Sequence, residues 1–280
     1  MRPSTPVPAV SVRLSGMTGD SARSGSTYRE RNSTADKALD ILMMFDDQHL
    51  ALSAADVARQ LGVARSTAYR YLQSLVGTQF LEEADTGGYR LGSRVLELAR
   101  LARRGLGLSE AARPVMRRLA ADVGEVVLLT RLAGAAVICL EREDAAARAV
   151  RISYERGEVL PINAGAAAHV LLAWLPQEQI DAVLAGVRFP AFTERTLTTK
   201  RDLARRLTET RKLGYAASRG ELDPDVLGVA APIRDENDAV VAAVSIAGVS
   251  ARVPDSRLPA LAEAVRDAAT EISATLALRG

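Results

Sequence analysis

The sequence predicts an α+β chain of two domains: a small, mostly helical head with a winged helix-turn-helix, and a larger domain on one mostly antiparallel sheet. Three observations carry this. The string LSAADVARQLGVARSTAYRYLQSL has the cap, helix, glycine turn and second helix of a helix-turn-helix. A glycine-tipped hairpin follows it. From Glu125 onward, strand-like apolar runs mix with helical patterns. At 280 residues the chain has material for two separate cores. Aromatics are scarce at 4%, so those cores must be built mainly from Leu, Val, Ile and Ala.

Residues 1–30 are rich in Ser, Thr, Pro, Gly and Arg and read as a disordered tail, with Met17 an alternative start. Prolines and serines break any signal-like apolar core there. The head spans 31–92. Ser33 or Thr34 caps a first helix running to about Phe45, with Leu39, Ile41, Leu42 and Phe45 as its buried stripe. Ser53 caps a second helix over 54–60, and Gly62 sits in the tight turn after it. A third helix covers 65–76. Residues 80–82 and 89–91 form strands joined by ADTGG, with Thr86, Gly87 and Gly88 at the tip.

An arginine-dotted helix, from Ser93 to about Arg104, occupies the segment 93–108, with Val95, Leu96, Leu98 and Leu101 on its apolar side. The second domain covers 109–280. Ser109 caps its first helix, to about Asp122. VVLLTRL, AVICLERE and AVRISYE read as strands. A small-residue loop over 161–165 feeds a helix over 167–174, followed by helices over 177–184 and 199–212. The last of these reads as a solvated charged face. A strand opens at Gly214-Tyr215, two more cover 229–233 and 240–246, and a helix over 256–278 closes the chain.

Composition excludes several classes. The single cysteine, Cys139, rules out an intramolecular disulfide and reads as a mid-strand core residue. With only His49 and His169 beside it, neither a metal site nor a cofactor is expected. No apolar run approaches the roughly 20 residues of a membrane span. A reducing cytoplasm fits this cysteine usage. Neither His nor Cys139 sits in a nucleophile motif and no GxSxG occurs, so an enzyme is not expected.

The chemistry-bearing residues of the head lie on its third helix. Arg65, Ser66 and Thr67 stand in the first turn, where base edges, phosphates and the helix N-terminus meet. Arg70 lies one turn on and shares their face, with Tyr69 beside it. Arginine suits guanine, and Ser66 and Thr67 suit phosphate. Gly87 and Gly88 at the wing tip reach for a minor groove or a phosphate, or mark an ordinary surface hairpin. Net charge is only +2, and 31–108 is nearly balanced, so the reading rests on placement. Arg65 and Arg70 are the only charged residues between Arg59 and Glu82. Such weak overall charge predicts modest nonspecific affinity and tight binding only as an oligomer.

From about Ser33 to its end the chain resembles the IclR family of bacterial transcriptional regulators. The resemblance lies in KALDILMMF, ADVARQLGVARSTAYRYLQSL, GGYRLGSRVLELA, PINAGAAAHVLLAWL and GYAASRGELDPDVLGVAAPIRDENDAVVAAVSIAG. It implies a linker helix that pairs with a second subunit and a GAF-like C-terminal domain that binds a small effector. It also implies homodimers or homotetramers on palindromic double-stranded DNA operators. The family usually has Gly-Lys where this chain has Ala168-His169, and one branch has an effector-proximal Cys where this chain has Gly228.

The junction of the 161–165 loop with its helix presents free amides and a positive dipole end, a seat for the carboxylate of a small organic acid. By resemblance, Ala166 and Ala167 offer those amides, and Gly228, Ser245 and Ala247 face the pocket from two strands. Tight helix–sheet packing is the plainer account of the same small residues. His169 reads as a partly exposed, pH-responsive group or as a surface or packing histidine. Glu221 and Asp223 either bridge to a ligand or lie in a solvated loop. An oligomerisation module with no working pocket is the competing account of the second domain.

Overall fold

The computed structural model describes residues 33–46, 48–85, 87–105, 107–145 and 154–278. The tail over 1–30, Thr86, and the AVRIS part of the third expected strand lie outside them. The chain divides into two compact units between Ala102 and Arg103.

In the smaller unit, α1 (Ser33–Leu42), α2 (Ala54–Leu61) and α3 (Arg65–Gly77) precede a hairpin of β1 (Leu81–Glu83) and β2 (Tyr89–Leu91). Ser53 starts α2 through a capping box. Its hydroxyl accepts the Asp56 amide at 3.2 Å, and the Asp56 carboxylate accepts the Ser53 amide at 3.4 Å. Gly62, at φ +63°, ends the helix in the left-handed region. Ile41, Val57, Ala68, Leu72, Leu75, Leu81 and Tyr89 form the core.

Two expectations for α1 fail. The helix stops at Leu42, not Phe45, because the Asp46 carboxylate draws the chain into a turn, accepting the amides of Gln48 and His49 at 2.9 and 2.8 Å. Leu39 is 61% exposed. The face that packs is Ala38, Ile41, Leu42 and Phe45, the true three-and-four spacing, from which Leu39 is rotated by about 100°.

The hairpin is clasped to the body of the unit. Leu52 and Tyr89 exchange backbone hydrogen bonds, both of 2.9 Å. A Cβ on Gly88 would lie 2.8 Å from the Leu52 carbonyl oxygen, and one on Gly92 would lie 2.3 Å from that of Gln79. Both neighbours are backbone and cannot swing aside. Gly92→Ala therefore destabilises this unit by about 1–3 kcal/mol. Urea unfolding checks this, and an unshifted midpoint would show that the close approach is not required.

Helix α4 (Ser93–Gly105) leaves Leu96, Leu98 and Leu101 exposed. The larger unit is a six-stranded sheet between two helical layers. Its elements are α5 (Leu108–Val123), β3 (Val126–Ala133), β4 (Ala136–Glu143), β5 (Val159–Leu160), α6 (Ala166–Ala173), α7 (Gln177–Val183), α8 (Lys200–Leu213), β6 (Ala216–Arg219), β7 (Val226–Arg234), β8 (Val240–Val249) and α9 (Leu258–Ala277). Strand order is β5-β4-β3-β8-β7-β6, every pair antiparallel. Alternation along β3 sends Val127 and Leu129 to the layer of α5 and α9, and Val126 and Leu128 to that of α6 and α8.

Ser109 is buried inside α5 rather than capping it; Gly107, in the left-handed region, opens the helix. Gly214, at φ +74°, ends α8, so the next strand starts at Ala216 and not at Gly214.

Candidate functional site

In the smaller unit, α3 presents Arg65, Ser66, Tyr69 and Arg70 to solvent, with Thr67 half-buried beside them. Its other face, Ala68, Leu72 and Leu75, is in the core. Among the described residues neither Arg65 nor Arg70 has an ion-pair partner, whereas Arg59 is paired with Asp56 and Arg90 with Glu82. The two helix starts also differ. Ser53 closes that of α2, but α3 starts from Ala64, which has no side-chain cap, so its first amides remain open to an anion. Gly87 is exposed at the wing, and Gly88 has its own local role in the approach to Leu52.

In the larger unit, a cavity of about 50 Å³ lies between the start of α6 and the sheet. Ala166, Ala167, Gly228, Ser245 and Ala247 all line it. Register explains the convergence: Gly228 pairs with Ala247 across β7 and β8, and Ser245 pairs with Leu128 of β3. The Ser245 hydroxyl, on a residue only 5% exposed, has no hydrogen-bond partner among the described residues.

The amides at the start of α6 are already partly used. Gly165 donates to Glu221 Oε2 at 3.0 Å and Ala166 to Ser218 Oγ at 3.0 Å. Ala166 therefore does not offer the free amide expected of it, and the first open one is that of Ala167. A Cβ at Gly228 would come within 3.1 Å of Ser218 Oγ. Glycine there leaves room for the Ser218 bond.

Glu221 is not in a solvated loop. It is 4% exposed, its other oxygen is held by Arg206 Nη1 at 2.5 Å, and it lines the cavity together with Asp223. His169 is not a surface group either: it is fully buried, with Nε2 3.3 Å from Glu221 Oε2 and no hydrogen bond from either ring nitrogen. Burial, helped by the charge of Arg206, pushes its pKa down to about 3, so the ring is neutral. Helix α8 is accordingly more than a solvated face, since Arg206 and Arg211 point inward, the latter to the Ala173 carbonyl. Cys139 is fully buried, and burial raises its pKa to about 12.

Sequence reasoning passed over Ser218, Thr130 and Tyr154, which also line the cavity. Only the inward alternation of AASR hints at Ser218. Among the described residues no three His, Cys, Asp or Glu side chains are grouped to hold a metal, and no helix is long and apolar enough to cross a membrane.

A helix with open amides and unpaired arginines, clasped to a wing, defines a helix-turn-helix DNA-binding protein. Comparison with known proteins gives the family. The model for the IclR helix-turn-helix domain matches residues 34–85, and that for the bacterial transcriptional regulator IclR C-terminal domain matches residues 102–274. The HTH-type transcriptional regulator KipR of Bacillus subtilis (strain 168) is 31% identical over 245 residues, covering 88% of this chain and 97% of its own. XynR of Escherichia coli (strain K12), also an HTH-type transcriptional regulator, is 29% identical, covering 87% and 96%. Among solved structures, an IclR homolog from Microbacterium hydrocarbonoxydans, complexed with 4-hydroxybenzoate, is 30% identical, covers 87% and 98%, and has a TM-score of 0.74. This chain belongs to the IclR family of transcriptional regulators. These relatives are named as regulators, not as enzymes.

Proposed function

We propose that the chain is an effector-controlled transcriptional regulator. It reads a palindromic operator through Arg65, Ser66, Thr67, Tyr69 and Arg70 of α3, with Gly87 and Gly88 letting the wing approach the backbone. The head covers 31–92, a linker helix 93–108, and the GAF-like effector-binding and oligomerisation domain 109–280. It works in the cytoplasm as a homodimer or homotetramer. A small organic acid enters the α6 cavity, where the Ala167 amide and the Ser245 hydroxyl receive it against Ala166, Gly228 and Ala247. Its binding shifts the oligomer between states that set the spacing of two recognition helices.

The observation that carries the effector reading is Ser245, a buried residue whose hydroxyl has no partner among the described residues and lines a cavity at a helix N-terminus. A hydroxyl free of protein partners at such a wall keeps its hydrogen-bonding capacity for a polar ligand. The 4-hydroxybenzoate held by the Microbacterium relative is consistent with this.

Ala167→Trp fills the cavity and tests the proposal. The variant is expected to bind operator normally without ligand and to lose both the thermal shift and the operator response produced by acids active on the wild type. A normal response in Ala167→Trp places the effector elsewhere.

A further inference from the structure

Taken as the effector site, a reading on which this inference rests, the α6 cavity contains more recognition chemistry than one carboxylate uses. Tyr154 lines it and is only 8% exposed, its backbone carbonyl fixed by Arg142 Nη1 at 2.9 Å. Among the described residues its hydroxyl has no hydrogen-bond partner. A tyrosine this buried as a residue usually finds a partner for its hydroxyl, and here the side open to it is the cavity. Together with Ser245, the cavity therefore has two hydroxyls on its wall, each on a buried residue and each without a protein partner among the described residues.

The charges of the lining point the same way. Glu221 and Asp223 are its only ionisable carboxyl side chains, and no Arg, Lys or His lines it among the described residues. Arg206 neutralises Glu221 from behind, while among the described residues the Asp223 carboxylate accepts only the Asp225 amide, at 3.0 Å. The dipole end of α6 already serves one protein carboxylate through the Gly165 amide. The open amide of Ala167 has room for one more negative charge. A second carboxylate on the ligand would face Glu221 and Asp223 with no cation to receive it.

We infer that Tyr154 is a specificity residue of this cavity: it reads an uncharged hydroxyl or keto group on a compact monocarboxylate, while Glu221 and Asp223 refuse dicarboxylates. Compactness follows from the volume of about 50 Å³, room for a few water molecules. Burial, with the charge of Asp223 nearby, also raises the Tyr154 pKa, which keeps its hydroxyl protonated and able to donate.

Two series of probes on matched skeletons test this with the full-length protein: butyrate, 3-hydroxybutyrate and succinate; and benzoate, 4-hydroxybenzoate and terephthalate. Affinities are measured by calorimetry on the wild type, Tyr154→Phe and Ala167→Trp. In at least one series the wild type is expected to prefer the hydroxy acid over the plain acid by about ten-fold, the size of one buried hydrogen bond. The dianion of that series is expected to bind more weakly than either. In Tyr154→Phe the preference for the hydroxy acid falls to near one-fold. A preference that survives Tyr154→Phe, a wild type that binds plain and hydroxy acid equally, or a dianion that binds as well as the hydroxy acid overturns the inference and leaves the cavity as the effector site. Binding that persists in Ala167→Trp, or no binding of any probe by the wild type, overturns the underlying reading and the inference with it.

Discussion

Arg70→Ala is expected to weaken operator binding by about 1–3 kcal/mol for each recognition helix engaged, and by about twice that in a two-headed complex. The effect is large because Arg70 has nothing else to do. It is exposed on α3, outside the core formed by Ala68, Leu72 and Leu75, and has no ion pair to lose among the described residues. Its removal should leave unfolding within about 0.5 kcal/mol of wild type, as for surface changes generally. Arg59→Ala is the matched control, because Arg59 is exposed on the neighbouring helix but already paired with Asp56. Fluorescence anisotropy with salt titration separates two roles for Arg70. A base contact relaxes sequence preference at one position, whereas a phosphate contact weakens all sequences alike and lowers the salt slope by about one. Wild-type binding by Arg70→Ala would end the assignment of α3 as the reading helix. Because the unit has few unpaired cations on this face, each should matter more than it would in a strongly basic head.

The head was legible in the sequence because its determinants are local. The Ser53–Asp56 box, the left-handed Gly62 and the small residues of α2 lie within ten residues of one another, and each acts through its neighbours. Where a local reading went wrong, one polar side chain or one glycine had redirected the chain: Asp46 after α1, Gly107 before α5, Gly214 after α8. In the larger domain the long strands were legible from their apolar runs, but two-residue β5 was not, and Tyr154 and Glu155, expected in a third strand, lie in none. The cavity could be placed from the small residues at the start of α6. Its polar wiring was not legible. Ser218 reaches the Ala166 amide from 52 positions away, and Glu221 reaches that of Gly165 from 56. No periodicity encodes such a meeting; it follows from β6 pairing at the sheet edge and α8 packing over α6. His169 shows the limit best, since a histidine near a helix start reads equally as a surface or a packing residue until α8 is seen to bury it.

That burial has a measurable consequence. The His169 ring has a pKa of about 3 in the folded protein, against an ordinary value near 6.5. Between those values the unfolded chain takes up a proton that the folded chain refuses. Stability is then complete above pH 6.5 and falls as the pH is lowered, by about 1.4 kcal/mol per pH unit. Over the two units from pH 6.5 to 4.5 the loss is about 2 kcal/mol. The carboxylates held below their usual range, Asp46, Asp56, Asp144 and Asp202, add the same sign of effect only at lower pH, near their ordinary values. Urea unfolding of the larger unit at intervals across this window should therefore show the slope in the wild type and a nearly flat line in His169→Gln. An unchanged slope in His169→Gln would mean that another group carries it. The ring stands 3.3 Å from the carboxylate that holds the Gly165 amide, beside the α6 cavity. Protonation places a second cation next to Arg206 in a space built for one, so the start of α6 is where acid first loosens the domain.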